Sequence, residues 1–124
     1  MAGEAWKPGP EVARALGHLT ANSAASFELL GKGVHEEGAR ALAAALKSNT
    51  SVTDIGLGGS NLRDEGAAAI AEALEVNRTL RALRLVNNSL GQAGAACIAR
   101  ALSQGSALES LGLGNNSLSD GGTA

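Results

Sequence analysis

The chain has 124 residues, of which 44% are hydrophobic but only 2% aromatic, and its formal net charge at pH 7 is −2. This small negative charge excludes an electrostatic argument for binding nucleic acid or an anionic membrane. The single cysteine excludes an internal disulfide framework, and no apolar run reaches the roughly 20 residues of a membrane helix. We therefore expect one domain in a reducing compartment, the cytoplasm, with the nucleus as the alternative.

The segment 1–23 is predicted to form an irregular N-terminus followed by a capping helix. Pro10 suits the first turn of a helix, because its missing N–H would be unpaired there anyway. From Glu11 to Thr20, apolar residues recur at helical spacing. We interpret this segment as the cap of a stack of repeats, since the first layer of such a stack otherwise exposes apolar surface. Trp6 is expected to close the same end.

The segment 24–124 repeats one strand-and-helix pattern at a constant period. In the most complete copy, Leu83 and Leu85 alternate as in a strand with one buried face. Gly94, Ile98 and Leu102 follow at the four-residue spacing of an apolar helix stripe. This region therefore predicts three full strand–turn–helix repeats and one truncated repeat.

The positions of the repeats predict the bounds of the strands and helices. Strands are predicted at about Ser26–Leu30, Asp54–Gly58, Ala82–Val86 and Ser110–Gly114. Helices are predicted at about Glu36–Ser48, Asp64–Val76 and Gln92–Gln104. Asn49, Asn77 and Gly105 follow these helices, and we expect them to adopt the left-handed conformation of a C-terminal cap. The short links favour parallel strands joined by helical crossovers.

The pattern Leu-x-x-Leu-x-Leu-x-x-Asn-x-Leu, continued as Gly-x-x-x-Ile-Ala-x-Ala-Leu, resembles the leucine-rich repeats of the ribonuclease-inhibitor type. Ran GTPase-activating proteins and the sensor ends of NOD-like receptors contain the same 28-residue form. The resemblance implies a right-handed α/β solenoid, part of a horseshoe with a parallel sheet on the concave face and helices on the convex face. It also implies a structural ladder in which Asn88 and Asn116 bond neighbouring turns. Lys32 and Ser60 replace this asparagine, so we expect a looser N-terminal ladder.

In proteins of this shape the concave face usually binds another protein. Strand alternation sends Leu83 and Leu85 inward and places every second strand residue on the concave face. Arg84 is the strongest candidate contact, because arginine is enriched at binding hot spots. The alternative is that these are ordinary solvated strand residues. The candidate protein-binding residues are Glu28, Asp54, Arg84, Val86 and Ser110.

No motif predicts a catalytic, cofactor or metal site. Cys97 occupies an alanine position of the repeat and has no nearby histidine to activate it. His18 and His35 lack partners at metal-ligand spacing. The glycines around Lys32 lack the rest of a phosphate-binding loop. Four glycosylation sequons start at asparagines that the repeat itself explains, namely Asn49, Asn77, Asn87 and Asn115.

These observations predict a non-catalytic scaffold for protein–protein interaction. The alternative is a regulator of a small GTPase, by resemblance to the Ran activators, with Arg63 as the nearest polar residue at a loop edge. A third interpretation is a fragment of a larger sensor or scaffold, because no helix is predicted after Gly122. Leu111 and Leu113 would then lie at an uncapped end that is available for self-association.

Overall fold

The computed structural model describes residues 9–29, 34–114 and 116. Its helices are α1 (Pro10–Ala21), α2 (His35–Leu46), α3 (Arg63–Val76) and α4 (Gln92–Ser103). Its strands are β1 (Ser26–Glu28), β2 (Asp54–Gly56), β3 (Ala82–Arg84) and β4 (Ser110–Gly112). Pro10 lies in the first turn of α1, as predicted. The expectations for Trp6, Lys32 and Asn115 fall outside the described residues.

The four strands form one parallel sheet in the order β1-β2-β3-β4. Each strand residue pairs with the equivalent residue of the next repeat, so that Phe27, Ile55, Leu83 and Leu111 form one row across the sheet. The helices form the second layer, with α2 against α1 and α3, and α4 against α3. The predicted α/β solenoid, with a parallel sheet in one layer and helices in the other, is confirmed.

The core lies between the sheet and the helices. Ile55, Leu57, Leu83 and Leu85 are each at most 1% exposed. Helical residues at four-residue spacing, such as Ile70, complete the layer from the other side. Burying one such side chain stabilises the fold by about 1.5–3 kcal/mol. The predicted inward direction of the strand leucines is therefore correct.

Each regular strand is three residues long rather than the predicted five. Inter-repeat bonding nevertheless continues past the strand ends, because Leu57 N donates to Arg84 O and Gly59 N donates to Val86 O. The chain then turns through positive φ at Gly59 and Asn87, which are equivalent positions in consecutive repeats. The regular strands therefore end about three residues before the turn, although backbone hydrogen bonds between neighbouring repeats continue up to Gly59.

Two of the three predicted left-handed caps are wrong. Gly105 has φ +97 as expected, but Asn77 is extended with φ −72 and ψ 127, and Asn49 does not have a positive φ. The physical reason is that both asparagines use their side chains between repeats. Asn77 Nδ2 donates to Leu46 O at 2.8 Å, and Asn49 Nδ2 donates to Leu19 O at 2.9 Å.

Two equivalent asparagine side chains, those of Asn49 and Asn77, therefore tie the repeats together before β2 and β3. In both, Oδ1 accepts from backbone N–H groups two and three residues ahead, as from Thr79 and Leu80 onto Asn77 at 2.8 Å. Both side chains are 3% exposed. The sequence signal was available, because these asparagines stand at equivalent positions of consecutive repeats, but the helix-end position favoured the wrong role.

A second row ties the repeats together after β3 and β4. The Asn88 side chain accepts from Ser60 N at 2.9 Å and donates to Leu57 O at 2.7 Å. Asn116 accepts from Asn88 N at 2.7 Å and donates to Leu85 O at 2.9 Å. Ser60, at the equivalent position one repeat earlier, makes one side-chain bond among the described residues, to the backbone carbonyl of Leu29 at 3.1 Å. The two rows hold the sheet in register from both ends of the strands.

Candidate functional site

The concave face is built from alternate strand residues that point away from the helices. One row across the strands begins with Ser26 and the next begins with Glu28. The middle residues between these rows turn into the core, which leaves the concave positions half-buried or exposed apart from Gly56. The concave face consists of Ser26, Glu28, Asp54, Gly56, Ala82, Arg84, Ser110 and Gly112.

Three of the predicted contact residues meet on this face and form what we call the concave charge cluster: Glu28, Asp54 and Arg84. Arg84 Nη1 lies 2.8 Å from Asp54 Oδ1, and Arg84 Nη2 lies 3.7 Å from Glu28 Oε1. The guanidinium of β3 thus reaches over β2 towards β1. The sequence identified each residue separately but did not predict their pairing.

Gly56 makes this arrangement possible. It lies between Glu28 and Arg84 in the same row of the sheet. A Cβ atom at this position would be 2.7 Å from Glu28 Oε2 and 2.9 Å from Arg84 Nη2, so any side chain would occupy the space in which the two charged groups approach. The absence of a side chain at Gly56 therefore lets Arg84 approach Glu28 across β2.

The charge cluster is partly solvated and carries one excess negative charge. Its side chains are 54% (Glu28), 40% (Asp54) and 42% (Arg84) exposed. Asp54 Oδ1 is itself shielded from solvent, and no described residue donates it a well-directed hydrogen bond, because the Arg84 contact has ion-pair distance without hydrogen-bond angles. Ion pairs this exposed are worth at most about 1 kcal/mol, so the cluster is not required for stability.

The other two predicted residues lie beside the charge cluster. Val86 follows β3 and is half-buried, and its Cγ1 lies 3.7 and 3.8 Å from where Cβ atoms of Gly112 and Gly114 would stand. Ser110 is exposed at the start of β4. This side of the face is consequently flat and poor in side chains.

A cavity of about 200 Å³ lies in the loops that follow the strands. It contains Arg63, whose Nη1 is 3.9 Å from Glu36 Oε2, and His35, whose Nδ1 is 3.4 Å from Asn61 Nδ2. Arg63 is at the loop edge as expected, but it already faces a carboxylate. Its use in regulating a small GTPase stays a prediction.

A smaller cavity of about 120 Å³ lies between α1 and β1. Its apolar lining comes from Ala15, Phe27 and Leu29, and Glu28 of the charge cluster lies on its edge. The remaining lining residues are the polar side chains of α1: Glu11, Arg14 and His18.

The reactive residue types are dispersed. Cys97 is half-buried and packs against the core. Within the described residues, no three His, Cys, Asp or Glu side chains lie together as a metal site would require, and no helix is both long and apolar enough to span a membrane.

Comparisons with known proteins agree with this architecture. A family model described as Leucine Rich repeat matches residues 48–71 and 76–99, which are parts of two consecutive repeats. No curated protein sequence matches the chain.

The solved structures that are similar to the chain include the following two. One is Leiomodin-1 Actin-Binding Site 2, with a TM-score of 0.81 and 26% identity over 89% of this chain. The other is the tropomodulin C-terminal domain of Caenorhabditis elegans, with a TM-score of 0.76 and 18% identity over 86% of this chain, a likeness of fold alone. The chain spans 65% of the length of each of these structures. Two of the 28-residue strand–helix units thus match leucine-rich repeats, and the leucine core and the likeness to these solved structures are consistent with a leucine-rich repeat architecture of the ribonuclease-inhibitor-like type.

Proposed function

We propose that this chain is a non-catalytic scaffold that binds a protein partner on its concave face. The observation that carries the proposal is the leucine-rich repeat architecture, together with its similarity to a structure named as an actin-binding site. Leucine-rich repeats present a continuous sheet surface, and repeat proteins commonly use such extended concave surfaces for binding.

The concave charge cluster supports this choice of face. Its three charged side chains lie on a sheet whose register is held by buried asparagines at both strand ends. A surface held in place in this way loses little conformational entropy when a partner binds. The flat region beside Val86 also leaves room for a partner to approach the backbone of β4.

Actin is the first partner to test. The similar structure at 26% identity is named as the second actin-binding site of leiomodin-1. Because proteins of one fold bind many different partners, this likeness makes actin a candidate partner that has to be tested.

Co-sedimentation with actin filaments and analytical sedimentation with actin monomers would test the proposal. We expect binding by the native chain and weaker binding when Glu28→Gln and Asp54→Asn are combined, with the melting temperature unchanged. Glu109→Gln is the matched control, since Glu109 forms an exposed 3.0 Å pair with Arg81 outside the charge cluster. Binding that the concave variants leave unchanged would contradict the concave site, and absence of binding would exclude actin.

A further inference from the structure

We propose that the partner presents a lysine or arginine side chain to the concave charge cluster, where Glu28 and Asp54 accept it. The inference rests on the proposed function of the concave face as a protein-binding surface. It differs from the expectation that Arg84 itself is the main contact, because it assigns the attraction to the two carboxylates.

The charge balance of the cluster carries the inference. Two carboxylates share one guanidinium, and Asp54, at 2.8 Å, is much closer to it than Glu28, at 3.7 Å. An acidic partner group would approach Arg84 only beside two competing carboxylates. A cationic group would instead meet the excess negative charge at Glu28. Complementary charges of this kind determine which partner an interface accepts.

The hydrogen-bonding state of the cluster points the same way. Asp54 Oδ1 is shielded from solvent and receives no well-directed hydrogen bond from the described residues. A carboxylate has room for about four hydrogen bonds, and lysine or arginine supplies only donors. Because Asp54 Oδ1 is covered, a partner cation would reach the cluster through the more exposed carboxylate of Glu28 and supply donors there.

The surroundings of Glu28 suit the long stem of a basic side chain. Glu28 lies on the edge of the cavity between α1 and β1, whose apolar lining includes Phe27 and Leu29. Lysine and arginine bury their methylene stems on such surface while the charged end stays near water. The two opposite charges in this cavity, Glu11 and Arg14, balance each other in number, so the excess charge remains with Glu28.

Selection of random linear peptides displayed on phage against the native chain would test the inference without a known partner. We expect the selected peptides to be enriched in lysine and arginine. Glu28→Gln and Asp54→Asn should each weaken a selected peptide by roughly two- to fivefold, as for an exposed ion pair. Arg84→Gln should strengthen it by a similar factor, because the competing cation is removed. Glu109→Gln, the matched control, should have no effect.

The opposite signs expected for Glu28 and Arg84 make the test decisive. Enrichment of acidic peptides, or weaker binding after Arg84→Gln with an unchanged melting temperature, would overturn the inference. So would selected peptides that are insensitive to Glu28→Gln, or a selection without specific peptides. The actin sedimentation experiment tests the scaffold proposal independently, so that either proposal can fail while the other stands.

Discussion

Replacing Asn88 with alanine removes the centre of the asparagine row that follows the strands. Asn88 is 0% exposed and its side chain makes four hydrogen bonds, to Ser60 N, Leu62 N, Leu57 O and Val86 O, at 2.7 to 3.3 Å. Val86 O keeps a second partner, since Gly59 N donates to it at 2.9 Å. The other three backbone groups have no second partner among the described residues, so the substitution would leave them unpaired.

The expected cost follows from those three groups. A buried backbone group left without its partner costs about 1–3 kcal/mol. At the lower end of that range, Asn88→Ala should reduce the free energy of unfolding by about 3–4 kcal/mol. This is a large part of the roughly 5–15 kcal/mol typical of a folded domain.

Urea unfolding followed by circular dichroism would measure the change. Ser60→Ala is the matched control, because Ser60 occupies the equivalent position one repeat earlier and, within the part of the chain that the structure describes, its side chain makes one bond, to Leu29 O at 3.1 Å. We expect that control to cost about 1 kcal/mol. If Asn88→Ala cost no more than Ser60→Ala, the idea that this asparagine ties the repeats together would be refuted.

Three further predictions concern the other row of asparagines, the concave face and the last strand. Asn77→Ala should destabilise the fold by about 3 kcal/mol, because its bonds to Leu46 O and two backbone N–H groups are buried; a urea midpoint equal to that of the native chain would contradict this. Gly56→Ala should leave the melting temperature almost unchanged, since the clashing atoms are the ends of flexible side chains, but should alter binding of a selected peptide; unaltered binding would separate the charge cluster from recognition. Sedimentation velocity should show concentration-dependent self-association that Leu111→Ser reduces, because Leu111 is half-buried on a strand that pairs on one side only among the described residues; a native monomer at every concentration would refute it.

Much of the fold could be predicted because the repeat imposes a local rule. A leucine at every second strand position and an apolar residue at every fourth helix position can each be satisfied only by a strand and a helix that share one core. The constant period of the repeat then predicts which residues face each other across the sheet, such as Ile55 and Leu83.

Contacts between side chains of different repeats were not predictable in the same way. The pairing of Arg84 with Asp54 and Glu28 depends on the direction in which a long side chain extends over Gly56. The same residue pattern would also permit an arginine extended into solvent. For this reason Arg84 looked like a free contact when it is held between two carboxylates.

Asn77 shows the difference between local and tertiary information most clearly. Its place after a helix favours a left-handed cap, since asparagine tolerates positive φ. The buried carbonyl of Leu46 in the preceding repeat needs a donor, and the Asn77 side chain supplies it from an extended backbone. Leaving the buried carbonyl of Leu46 without a hydrogen bond would cost more free energy than a left-handed cap at Asn77 would gain.

The repeat length, the order of strands and helices, the leucine core and the residues of the concave face all follow from the amino-acid sequence alone. They depend on the spacing of apolar residues, and each copy of the repeat shows the same spacing. The roles of Asn49 and Asn77 and the pairing within the concave charge cluster are set by the folded molecule instead. They depend on which atoms of neighbouring repeats come within hydrogen-bond or ion-pair distance, and that becomes defined only when the repeats are stacked.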